Sequence, residues 1–186
     1  MTYVLIVLVI IALVFITYYN RLVKLRQTVR NAWSDIDVQL KRRHDLVPNL
    51  VETVKGYASH EQETLDAVIK ARNSAISAAG PAEAAAAENQ LSGALRQLFA
   101  LSESYPQLRA VEGFTELQGS LKEIEEAVQN SRRYYNAVVR DYNTTIEQVP
   151  SNIVANAFRF QPEEFFELDS REERDVPKVD FGTSTD

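Results

Sequence analysis

The first twenty residues constrain this chain more than any other feature, because they form an uncharged, strongly apolar run. No charged residue occurs between Thr2 and Asn20, and residues 3–19 would be about 25 Å long as a helix, close to the thickness of the hydrocarbon layer of a bilayer. The run lacks the basic region before it and the small-residue cleavage pattern after it that mark a signal peptide. The sequence therefore predicts an uncleaved transmembrane anchor at residues 1–20.

Positive charge is distributed unevenly around this anchor. Arg21, Lys24, Arg26 and Arg30 follow it closely, and no Lys or Arg precedes it. Basic residues that flank a membrane span mark its cytoplasmic side. We therefore expect a single-pass protein of the cell membrane whose remaining residues face the cytoplasm, with these four basic side chains contacting the membrane surface.

Beyond the anchor, apolar residues recur at alternating steps of three and four, which is the pattern of a heptad seam. The first seam keeps its phase through Pro48, which predicts one helix with a kink continuing directly from the anchor. Ser59 followed by Gln62 resembles a capping box that begins a second helix. The predicted inner face of that helix consists of Leu65, Val68, Ile69, Arg72, Ala75, Ile76 and Ala79.

Two further breaks divide the rest of the chain. Gly80-Pro81 is a helix stop followed by a start, and the alanine-rich third helix after it specifies packing only weakly. Tyr105-Pro106 precedes the longest helix, which Pro150 ends. The sequence therefore predicts an all-α fold, in which residues 21–160 form an up-and-down antiparallel four-helix bundle with coiled-coil-like seams. If the chain passed Gly80-Pro81 as a mere kink, the second and third helices would fuse and leave three long helices.

Residues 161–186 form an acidic C-terminal segment. From Glu163 onward there are nine acidic residues against three basic ones, and this composition predicts disorder. Because the fourth helix of such a bundle returns toward the membrane, the phenylalanines after Pro150 should lie at its base. We expect them to pack under the first helix, and the alternative is insertion into the headgroups. They are Phe158, Phe160, Phe165 and Phe166.

The residue types of known catalytic and metal sites are missing or wrongly spaced. The chain has no cysteine, and His60-Glu61 fails as a zinc-protease motif because the second histidine is replaced by Thr64. Di-metal bundles need Glu-x-x-His pairs, which are absent. A formal net charge of −6 argues against nucleic acid as a partner. We expect no enzymatic activity, no cofactor, no metal and no small-molecule substrate.

Two polar motifs remain. Lys41, Arg42, Arg43 and His44 form a basic run in which Arg43 falls on the apolar seam. We favour a paired or snorkelling Arg43, and the alternative is that these four residues form a partner surface. Tyr-Asn occurs twice, one heptad apart, at 135–136 and 142–143, where seam tyrosines should be core residues with bonded hydroxyls. Trp33 lies on the first seam, a position that demands burial, and is predicted to be a core anchor.

Several of these segments together resemble the LemA family of bacterial membrane proteins: residues 19–23, 32–43, 45–51 and 103–108, Phe114 with Leu117-Gln118, and the two Tyr-Asn pairs. The resemblance implies a membrane anchor with a four-helix cytoplasmic domain. The family includes proteins similar to one needed for magnetosome membrane formation and others encoded beside membrane metalloproteases. No enzymatic activity is established for it.

Three functions are compatible with these predictions of fold and placement. The favoured one is a membrane-anchored helical scaffold or interaction protein, bound to the membrane through residues 1–20 and to a protein partner or to itself. The alternatives are a membrane-shaping or lipid-binding protein and an accessory protein of a membrane protease.

Overall fold

The computed structural model of the chain describes residues 1–167, and this part is entirely helical apart from turns and one extended segment. The all-α prediction is confirmed. The helices are α1 (Thr2–Lys55), α2 (Gln62–Ser77), α3 (Gly80–Ser102), α4 (Pro106–Arg109), α5 (Glu112–Glu147) and α6 (Ser151–Ala157).

Helix α1 is continuous for 54 residues and passes through Pro48, as the unbroken seam predicted. Its apolar N-terminal part is exposed, and burial inside the protein begins only at Leu22. This is the one helix of residues 1–167 that is long and apolar enough to cross a membrane. The same helix therefore supplies an uncovered apolar segment and one wall of the protein core.

Helix α5 lies antiparallel to α1 along most of the length of the helical domain. Leu22 shares a core cluster with Ile146, whereas Val54, near the other end of α1, shares one with Phe114. Helices α2 and α3 pack on each other and join the core where α2 meets the distal part of α1. The predicted long helices are thus present in the predicted order. Their arrangement as a regular four-helix bundle stays a prediction.

The connections between helices agree with the predicted breaks but not with every predicted cap. Helices α2 and α3 are separate, and Gly80, the first residue of α3, has a φ of +82°, a conformation that favours glycine. The capping box is not formed, because the N-cap of α2 is Glu61 and no side chain caps it. Instead the amides of Tyr57 and Ala58 both bond back to the carbonyl of Val54, which closes α1 with a tight turn.

The first part of the predicted acidic tail differs from the expectation. Residues 161–167, here called the C-terminal strap, are extended and hydrogen-bonded along α5. Their acidic side chains do not oppose this packing, because the hydrogen bonds to α5 come from the strap backbone and the buried side chain is that of Phe166. The remainder of the predicted tail, 168–186, lies outside the described residues.

Trp33 packs against the core, as predicted, but it is only partly buried, so the burial that its seam position predicted is incomplete. The buried positions of this turn are its neighbours Ala32 and Ile36. The indole lies at the edge of the core, with its ring 5.5 Å from that of Tyr135 and 5.6 Å from that of Phe166. It therefore links α1 to both α5 and the strap.

Candidate functional site

The two Tyr-Asn pairs of α5 form a receptor for the backbone of the strap. The hydroxyl of Tyr142 donates to the carbonyl of Gln161 at 2.9 Å, and that of Tyr135 donates to the carbonyl of Glu164 at 2.7 Å. Both tyrosines are buried, so the prediction of core tyrosines with bonded hydroxyls is confirmed.

The asparagines hold the same segment more completely, because each amide bonds to both backbone groups of one residue. Asn143 donates to the carbonyl of Glu163 and accepts from its N–H, both at 2.9 Å. Asn136 does the same with Phe166, at 3.1 and 3.0 Å. These contacts satisfy buried backbone groups that a strand would satisfy in a sheet.

The spacing of the motif matches the spacing of an extended chain. One heptad of helix rises about 10.5 Å, and three residues of extended backbone span about 10 Å. The pairs at 135–136 and 142–143 therefore meet backbone groups three residues apart, at 161 and 164 and at 163 and 166. The repeat is visible in the sequence, but the role of the asparagines is not, because their partners are backbone groups that carry no side-chain signal.

The tyrosine hydroxyls remain protonated well above neutral pH. Burial raises the pKa of Tyr135 to about 12, with the nearby carboxylates of Glu163 and Glu164 adding to the effect. Burial also raises the pKa of Tyr142, again with a contribution from Glu163. Both side chains thus act as hydrogen-bond donors, and neither is poised to exchange a proton near neutral pH.

A second polar cluster lies inside the core around Arg43. Its guanidinium bonds to the carboxylates of Glu88 and Glu125 and to the hydroxyl of Ser92, each at 2.9 Å. His44 Nε2 lies 2.5 Å from the other oxygen of Glu88. The cluster ties α1, α3 and α5 together, with Glu88 only 1% exposed and Glu125 partly exposed at its edge.

This cluster corrects part of the predicted partner surface. Lys41 and Arg42 are exposed, and Arg42 bonds only to Gln39 of its own helix among the described contacts. Arg43 and His44 are buried, because the seam position that made Arg43 unusual turns it toward Glu88. The favoured interpretation of a paired Arg43 is confirmed, while a partner surface at exposed Lys41 and Arg42 stays a prediction.

A further polar contact replaces the backbone hydrogen bond that Pro48 removes from α1. A proline has no N–H, so the carbonyl four residues earlier, that of His44, loses its helical donor. Arg72 of α2 supplies a substitute, since its Nε donates to this carbonyl at 2.7 Å. The helical hydrogen bond that the proline removes is therefore replaced by a contact that joins α1 to α2.

The four basic residues after the apolar segment lie at the proximal end of the domain. Arg21, Lys24 and Arg30 are exposed, and Arg26 is partly covered, with its guanidinium carbon 4.9 Å from the ring centre of Phe160.

Within residues 1–167 no group of three or more His, Asp or Glu side chains is arranged to hold a metal ion.

These features define a class of protein: an all-α protein that carries an apolar helix pointing to membrane anchoring, with its polar motifs engaged in holding the fold. The sequence model of the LemA family matches residues 32–181, and the chain belongs to this family.

Named relatives agree with this assignment. Magnetosome protein MamQ 2 of Paramagnetospirillum magneticum is 25% identical over 175 residues, an alignment that covers 80% of this chain and 64% of that protein. Protein LemA of Metamycoplasma hominis is 25% identical over 175 residues, covering 92% of this chain and 76% of that protein. This chain thus spans a little under two thirds of the magnetosome relative, and neither name specifies a reaction.

Proposed function

We propose that this protein is a membrane-anchored helical scaffold that holds a protein partner, or a second copy of itself, at a fixed position relative to the bilayer. It performs no chemistry of its own. The observation that carries the proposal is an exposed apolar stripe on α2, formed by Ile69 and Ile76, which are 41% and 53% exposed.

This stripe departs from the predicted inner face of α2. Leu65, Val68 and Ala75 are buried as expected, but both isoleucines face outward. They are seven residues apart and so lie on the same side of the helix. Large apolar side chains repeated on an exposed face are typical of a surface that another helix covers.

The anchor supports the same role. Because α1 contributes both the apolar segment and the core, a partner on α2 would be held at a set height above the membrane. Lys41 and Arg42, both exposed, remain candidate partner contacts. The four basic residues that follow the apolar segment support a cytoplasmic orientation of the domain in this proposal. They are Arg21, Lys24, Arg26 and Arg30.

A photo-crosslinking amino acid at Ile69 or Ile76 of the full chain, in native membranes, tests this function. We expect one dominant, stoichiometric adduct, either with a single protein or with a second copy. The adduct from position 69 should disappear when Ile76 is changed to Ser. The same probe at exposed Glu126 on α5 is the control. Equal, diffuse labelling from all three positions would contradict the proposal.

A further inference from the structure

A second apolar surface lies at the opposite end of the domain, where α5 turns into α6. Val149, Ile153 and Phe158 are 79%, 55% and 56% exposed. We call these three side chains the basal ledge. The other side of α6 is fixed to the core, because Ser151, Val154 and Ala155 are buried and the Ser151 hydroxyl donates to the carbonyl of Thr145 at 2.6 Å. The ledge is therefore held in an outward orientation.

The height of the ledge along α1 is set by direct contact. The ring of Phe158 lies 4.7 Å from that of Tyr19, one of the last residues of the uncharged apolar segment. Tyr19 also contacts Phe160, at 5.9 Å. If residues 1–20 cross a bilayer, the ledge lies where the membrane surface must be.

The acidic side chains of the strap lie away from the ledge, because the strap runs back along α5. Glu163 bonds to Asn143 and Phe166 to Asn136, about 6 and 16 Å along α5 from its end at Glu147. The strap acids, which anionic headgroups would repel, therefore lie above the ledge, as do Phe165 and Phe166, while exposed Glu147 lies two residues before Val149. This corrects the expectation that all four phenylalanines gather at the base.

We propose that the basal ledge inserts into the interfacial layer of the same bilayer that α1 crosses, as a second and purely apolar membrane contact. Aromatic and aliphatic side chains partition into this layer when they are presented on a fixed surface. The surface is continuous with the apolar segment through Tyr19. This contact goes beyond the scaffold role and does not depend on it.

The test uses tryptophan fluorescence, since Trp33 is the only tryptophan of the chain. In a Trp33→Phe background, the full chain carries either Phe158→Trp or Ile153→Trp and is reconstituted in phosphatidylcholine vesicles brominated near the acyl carbonyls. Tyr134→Trp is the matched control, because Tyr134 is 54% exposed. Its neighbour Tyr135 contacts Trp33, which is about 20 Å along α1 from Asn20.

We expect the brominated lipid to reduce the emission of both ledge tryptophans to about half or less, the range for a ring inside the 5–10 Å interfacial layer, and to leave Tyr134→Trp unchanged. Neutral and anionic vesicles should give the same result. Far-ultraviolet circular dichroism verifies that each variant keeps its helix content, and agreement between the two ledge positions guards against a local distortion.

Three results would overturn the proposal. Quenching of the ledge tryptophans by aqueous acrylamide, equal to that of Tyr134→Trp, would place the ledge in water. Protection from both acrylamide and brominated lipid would show that protein covers it. Lipid quenching that requires anionic vesicles would assign the contact to the basic residues and not to the ledge.

Discussion

Among single residues, a few polar side chains stabilise the core by forming ion pairs and hydrogen bonds between helices. Glu88 occupies an alanine-rich segment, and its small neighbours Ala84, Ala85 and Ala87 are buried with it. These alanines allow α3 to approach closely enough for Glu88 to meet Arg43 and His44. Sequence analysis predicted a paired Arg43 but not its partner, because Arg43 and Glu88 are 45 residues apart.

Changing Glu88 to Gln should destabilise the domain strongly. The variant keeps the shape of the side chain but leaves buried Arg43 with only the partly exposed carboxylate of Glu125. Removing one partner of a buried ion pair costs about 3–5 kcal/mol, and the remaining Glu125 contact favours the lower end. Denaturant unfolding of the full chain in detergent measures this. Glu126→Gln, at an exposed position of α5, is the control, and an equal effect of both variants would contradict a special role for Glu88.

Arg72 and Pro48 should be energetically coupled. Arg72→Ala removes a charged donor from the His44 carbonyl, and such hydrogen bonds contribute about 1.5–3 kcal/mol. In a Pro48→Ala background, residue 48 regains an N–H for this carbonyl, so the same change should cost clearly less. A double-mutant cycle measures the difference. Additive effects would show that the contact does not compensate for the proline. Lys70→Ala, on the exposed part of α2, should be nearly neutral.

At the scale of elements, the helices were predictable and the strap was not. Heptad spacing and the Gly80-Pro81 and Tyr105-Pro106 breaks correctly placed α1, α2, α3 and α5, because side-chain periodicity records which face is buried. The strap has no such side-chain periodicity, because α5 binds its backbone. Its acidic composition predicted disorder, while the amides of Asn136 and Asn143 supply the backbone partners that disorder would leave to water.

Asn136→Ala and Asn143→Ala should release the strap one step at a time. The N–H groups of Phe166 and Glu163 donate to these side chains, so each variant should speed hydrogen exchange at its own partner amide by about tenfold, the equivalent of 1.4 kcal/mol for one lost contact. Exchange measured by nuclear magnetic resonance resolves the two amides. Asn130→Ala, on the same helix but away from the strap contacts, is the control. Unchanged exchange at position 166 in Asn136→Ala would contradict this account.

The strap should also loosen at high pH. The pKa of Tyr135 is raised from 10 to about 12 in the folded protein, so its protonated form stabilises the fold. This contribution is complete below pH 10 and is lost as the pH rises from about 10 to about 12. Comparing the pH dependence of stability in the wild type and in Tyr135→Phe isolates it. A difference between the two that stays constant across this window would exclude Tyr135 as the titrating donor.

At the scale of the whole molecule, the long helix α1 links membrane, core and strap. The domain should keep one orientation, which the proposal assigns to Arg21, Lys24, Arg26 and Arg30. Changing all four to Gln should invert a fraction of the chains, because each basic residue near an anionic leaflet contributes about 1 kcal/mol. A topology reporter fused after Asp186 measures this. Lys41→Gln with Arg42→Gln is the control, and a reporter that stays wholly cytoplasmic in the four-residue variant would show that another feature fixes orientation.

We expect α1 to pass from the membrane into the core as one continuous helix and the end of α5 to return to the membrane-proximal end of the domain. Because the chain has no cysteine, spin labels can be attached at introduced cysteines at Arg21, Lys55 and Glu147 of the full chain in lipid nanodiscs, and pulsed electron paramagnetic resonance gives their separations. A continuous helix predicts a narrow distribution near 50 Å between positions 21 and 55, and the return of α5 predicts less than about 25 Å between positions 21 and 147. A broad distribution centred below about 35 Å for the first pair, or more than about 40 Å for the second, would contradict the claim.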